Sequence, residues 1–98
     1  MKHEINLHEV QWRRLSEGQH GWLLVKVGPD FQTGDRVRVY PADRWGNRLR
    51  DFVERDEKGR FANEYRERPP CSTRITHVAA GADGIRDGWV LLSLAPVD

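Results

Sequence analysis

Five arginines, Arg36, Arg38, Arg44, Arg48 and Arg50, follow one another closely, with Asp43 as the only acid among them. A guanidinium group grips phosphate oxygens in a two-pronged fork and also stacks on flat rings. The run therefore reads as an anion-binding patch. The same arginines would also suit a solvated strand face and loop, each paired with a nearby acid. Trp45 stands inside the run, next to Arg44 and Gly46. An exposed indole flanked by arginine can stack a nucleobase, worth roughly 1–3 kcal/mol, or anchor a protein interface. Trp22 is a second stacking candidate, although a core position fits it as well.

Other chemistry has less to stand on. His3, His8 and His77, taken with Cys71, give no spacing typical of a zinc site. No metal and no cofactor are expected. Cys71 follows Pro69-Pro70 without a surrounding motif and reads as a structural thiol. Gly81-Ala82-Asp83-Gly84 lacks the Gly-Lys-Ser/Thr ending of a phosphate loop. His20, between Gln19 and Gly21, could titrate near neutrality as a base or phosphate donor, and reads equally as a surface-loop histidine.

Short strands must position these residues. Lys2 to Leu7 alternates polar and apolar types and predicts a strand. Residues 9–17 hold no Gly or Pro and stop at Gly18, which predicts a short amphipathic helix with Trp12 and Leu15 on its buried stripe. Trp22 to Val27 is nearly all apolar and predicts a strand buried on both faces. Arg36 to Tyr40 alternates strictly, with Val37 and Val39 inward, both arginines outward, and Pro41 as the stop. Turns are expected at 45–47 and 57–59, with a possible strand over 48–54 between them. An irregular charged stretch then runs to Pro69-Pro70. Strands over 73–78 and 89–94 flank a loop at 79–84. The pattern predicts one α+β domain over residues 1–98, mostly β, closed into a small barrel with a short N-terminal helix.

Composition bounds the rest. The chain has 98 residues, 38% hydrophobic and 32% charged. Four Trp, three Phe and two Tyr supply core material that a disordered chain would lack. Thirteen of sixteen basic residues are Arg, yet the net charge is only +1, which excludes a polybasic tail. Between Arg36 and Arg68 the count is ten basic against seven acidic. One Cys precludes an intramolecular disulfide framework and fits a reducing compartment. No apolar run approaches the ~20 residues of a membrane span, and the first residues lack a signal peptide's apolar stretch. A cytoplasmic location is expected, with no membrane partner.

Three segments in order carry a family resemblance. His3-Glu4-Ile5-Asn6-Leu7 precedes the helix ending at Gly18. Asp30-Phe31-Gln32-Thr33-Gly34-Asp35 leads into Arg36-Val37-Arg38-Val39. Gly84-Ile85-Arg86-Asp87-Gly88 leads into Trp89-Val90-Leu91-Leu92-Ser93-Leu94. Together they resemble the ASCH domain of the PUA-like superfamily, nearest to a short branch common in phages and prophages. The likeness covers both ends of the chain and fails over residues 41–70, a divergent, insertion-like segment. It implies a β-barrel with helices over its ends and a cleft used on RNA or modified nucleosides. Some relatives are thought to be ribonucleases or amidohydrolases, with a pattern like Gly-x-Lys-Thr-x-Glu-x-Arg after the first helix. Here Gly18 and Gln19 fit, but His20, Gly21, Leu23 and Val25 stand where Lys, Thr, Glu and Arg are expected, and Lys26 keeps the next basic position. Leucine and valine cannot move a proton.

Two functions follow. The first is a non-catalytic module binding RNA or another single strand. Arg36, Arg38, Arg44, Arg48 and Arg50 would hold phosphates, Trp45 and Trp22 would stack bases, and Lys26 and His20 would line the residual cleft. The second is a phage or prophage module that grips a host protein through residues 41–70, where arginines and acids interleave with Trp45, Phe52, Phe61 and Tyr65. A residual enzyme would need a catalytic set built elsewhere, for instance from Glu4, His20 and Lys26.

Overall fold

The computed structural model describes residues 2–18, 21–28 and 30–97. Among them are seven strands and one α-helix: β1 (Lys2–His8), α1 (Glu9–Ser16), β2 (Trp22–Lys26), β3 (Arg36–Ala42), β4 (Arg50–Arg55), β5 (Phe61–Glu67), β6 (Cys71–Ala79) and β7 (Trp89–Pro96), with a 3-10 turn at Gly81–Asp83. Five strands form one curled sheet in the order β1-β3-β6-β7-β2. The fold is therefore mostly β with one short N-terminal helix, as the alternation predicts. The sheet curls into half a barrel and stops short of closure, leaving β1 and β2 as its edges.

Alternation builds the core. Val37 and Val39 of β3, Ile75 of β6, Leu92 and Leu94 of β7 and Leu23 of β2 pack inward with Leu15 of α1. β1 pairs parallel to β3, from Lys2↔Arg36 to His8↔Ala42, and α1 lies in the crossover such a pairing requires. The His8 ring accepts a bond from the Val10 amide at the helix start. At its end, Gly18 takes φ 75°, cheap only without a Cβ. Trp12 Nε1 donates to the Val39 carbonyl at 2.7 Å and ties the helix to β3.

Three expectations are corrected. β2 is an edge strand, and Trp22 and Leu24 are half exposed, so it is not buried on both faces. Its apolar run reflects packing of Leu23 and Val25 only. β3 runs through Pro41 to Ala42. By then the pairing with β6 has ended at Val39↔Cys71, and on that side the Pro41 carbonyl accepts from Leu49. The missing N–H points the same way, off the β1 ladder.

The third correction concerns the charged middle, which is ordered. β4 and β5 form a separate two-stranded sheet, reversed at the turn where Gly59 takes φ 79°. This hairpin packs on itself and scarcely on the curled sheet. The molecule measures 54 × 29 × 24 Å with a radius of gyration of 15.6 Å, against about 13 Å for a compact chain this long. The hairpin is an arm. Salt bridges gather at its base, where Arg68 reaches Asp51 at 3.1 Å and Glu9 at 3.7 Å. No helix among the described residues is long and apolar enough to cross a membrane.

Candidate nucleic-acid interface

The register of β1, β3 and β6 sets four cations on the outer face of the curled sheet. Lys2 pairs with Arg36, and Arg36 pairs with Arg74. These three side chains form one row across three adjacent strands, because direct partners point to the same side. One step along lies a second row, Glu4, Arg38 and Ser72. Lys2, Arg36, Arg38, Ser72 and Arg74 are all exposed. A shallow cavity of about 120 Å³ opens among Lys2, Arg36, Arg38, Ser72 and Thr73.

Among the described residues, no carboxylate forms an ion pair with Lys2, Arg36, Arg38 or Arg74. The one acid in these two rows is otherwise engaged. Glu4 accepts from Arg48 Nη2 and from the Tyr40 hydroxyl, both at 3.3 Å. Arg48 is brought there by its bridge to Ala42. It donates from Nε to Asn6 at 2.8 Å, reaches Glu67 at 3.4 Å, and lies 3.7 Å over the Tyr40 ring. Arg48 is thus a brace, spending its charge on Glu4 and Glu67 and engaging Glu4 away from its row neighbour Arg38.

Beyond that brace the chain turns at Asp43, whose Oδ1 accepts from the amides of Trp45 and Asn47. Asn6 donates to the Gly46 carbonyl and holds this turn to β1. Trp45 is 72% exposed, with the Arg44 guanidinium 4.5 Å above its ring centre. Lys2, Arg36, Arg38, Arg74, Tyr40 and Trp45 therefore follow the course of β1 and β3 in one direction. From Arg36 to Tyr40 the rise is ~13 Å.

The remaining candidates fall elsewhere. Arg50 opens the arm, opposite Glu67. Trp22 and Lys26 lie on β2, with β6 and β7 between them and the arginines. Lys26 sits 5.7 Å over the Trp89 ring. Trp22 lines a cleft of about 340 Å³ with Leu7, Gln11, Arg14 and Leu24, in the gap between the two sheet edges and against α1. His20 lies outside the described residues.

Lys2, Ser72 and Arg74 are the residues that sequence reading missed. They are distant from β3 in the chain and meet it only through pairing. The alternation at Thr73-Arg74-Ile75 did carry one signal, since inward Thr73 and Ile75 force Arg74 outward.

Titration separates structural from reactive groups. His3 Nε2 and Asp35 Oδ2 are 2.8 Å apart, both residues buried. The His3 bond holds the Asp35 carboxyl down at about 2, with burial opposing and the Gln32 amide assisting. An ionised carboxylate only accepts, so the His3 ring donates. The pair locks the start of β1 to the start of β3, and Phe31 packs 4.6 Å from the His3 ring. Cys71 is half-buried and burial pushes its thiol up, which disfavours the reactive thiolate. Among the described residues no cluster of three or more His, Cys, Asp or Glu forms a metal-binding group. No protein-family model and no curated protein matches the chain.

Proposed function

We propose that this protein is a non-catalytic nucleic-acid-binding module of the ASCH kind, directed at RNA or another single strand in the cytoplasm. The observation that carries the reading is the row Lys2, Arg36, Arg74, with Arg38 beside it. Like charges directly opposite on a sheet destabilise it. Three such cations in a row, ion-paired to no acid among the described residues, make sense when an anion completes them, and phosphates in series are the anion that fits an open, exposed face. Trp45, with Arg44 on its ring, supplies a stacking platform at the far end of the same strands.

The test is fluorescence anisotropy with labelled single-stranded RNA, single-stranded DNA and duplex, across salt concentrations. Four phosphate contacts at about −0.7 each predict a slope near ~−3 in log K against log salt for a single strand. Trp45→Ala is expected to weaken binding by about 1–3 kcal/mol with the melting temperature unchanged. A folded protein with no saturable binding at low salt overturns the reading.

A further inference from the structure

We infer that the β4–β5 arm is a self-association surface, through which two copies of this chain pair β4 against β4 about a two-fold axis. This inference is independent of the nucleic-acid reading, since none of its residues lies in the cation rows.

The arm is incomplete by itself. A lone two-stranded sheet is marginal in water, and three or more strands with an apolar face are needed for stability. Phe52 and Tyr65 are direct cross-strand partners with ring centres 5.1 Å apart. They remain 47% and 69% exposed, and Phe61 near the turn is 73% exposed. Phe52 lies on β4 itself, so a strand added along the outer edge of β4 would flank its ring.

Charge selects the occupant. Residues 50–67 hold five basic and six acidic side chains, so the arm suits neither a polyanion nor a polycation. An interleaved, near-neutral surface instead complements itself, the condition for a two-fold interface, where one patch meets its own copy. Backbone geometry selects the edge. β5 carries Asn63 at φ 48°, and the pairing shifts register between Val53 and Arg55, a bulge that spoils the β5 edge for further pairing. β4 has no such break. Antiparallel pairing of Arg50–Arg55 with its own copy, centred on Val53, sets Asp51 of each copy against Arg55 of the other. The two-fold axis, perpendicular to the sheet, then gathers both Phe52–Tyr65 pairs on one face of a four-stranded ribbon.

The centre supplies the test, because Val53 meets its own copy. Sedimentation velocity on the full chain, up to ~100 μM because interfaces below ~1,200 Å² are weak, should show a monomer–dimer equilibrium. Val53→Lys alone and Val53→Asp alone are each expected to raise the dimer Kd at least tenfold, by setting like charges together. Mixed in equal amounts, they should restore association as a heterodimer. Circular dichroism checks that both variants keep the native sheet. A wild type that stays monomeric throughout overturns the inference, as does a Val53→Lys protein that dimerises like wild type. A mixture of the two variants that stays monomeric overturns it as well.

Discussion

Arg36 and Arg74 face each other directly across β3 and β6, and no carboxylate pairs with either among the described residues. Inward of them, Val37 and Thr73 are buried, and the Thr73 hydroxyl donates to the Val37 carbonyl at 2.9 Å. The ladder here is well made, so the two arginines are held in opposition by a register the core dictates. Repulsion cannot be relieved by sliding the strands, since a one-residue slip would turn Val37, Val39 and Ile75 to solvent.

That opposition predicts a trade between stability and binding. Arg74→Thr removes one charge and substitutes a good strand former. The expected gain is about 0.2–1 kcal/mol, a rise of up to several degrees in melting temperature for a domain this size. RNA affinity should fall in the same variant, with the salt slope reduced by about 0.7. Calorimetry and anisotropy on one preparation check both. A lower melting temperature with unchanged affinity would make Arg74 a packing residue.

Arg48 should behave differently from the cations it shields. Arg48→Ala frees Glu4 to turn toward Arg38, its neighbour in the same row. The predicted result is weaker RNA binding together with a lower melting temperature from the lost ion pairs and ring contact. Adding Glu4→Gln should recover the affinity and leave the salt slope at the wild-type value. A double variant whose slope drops by about 0.7 would instead mean that Arg48 touches phosphate.

How far these relationships were legible depended on range. Alternation at Arg36-Val37-Arg38-Val39 gave the inward and outward faces of β3 without help, because a strand's period is local. The helix stop at Gly18 was local too. The partner of Arg36 was not, since Arg74 reaches it only through strand pairing, and no local rule states which strands pair. Arg48 looked like a phosphate ligand in a basic run; its neutralisation by Glu4 and Glu67 is likewise long-range. β5 was missed for another reason. The left-handed Asn63 inserts a bulge that breaks the two-residue period, so Phe61 to Glu67 reads as irregular. The apolar run at Trp22 misled in the opposite direction, since open barrel edges expose side chains that a closed barrel would cover.

The His3–Asp35 pair makes the fold sensitive to acid. Asp35 titrates near 2 in the folded protein, against about 3.9 for an unstrained aspartate. Its folded value is depressed, so its contribution is complete above the unfolded value and is lost as pH falls from about 4 through 2. Urea unfolding midpoints should therefore drop over this window. Asp35→Asn should lower the midpoint at neutral pH, because the buried His3 ring loses its charged acceptor, and should flatten the acid dependence relative to wild type. His3→Asn tests the same lock from the other side: by removing the main cause of the depressed value, it should move the acid transition of Asp35 upward. An acid profile identical in wild type and Asp35→Asn would assign the acid sensitivity to other carboxylates, and the lock between β1 and β3 would then rest on the backbone ladder alone.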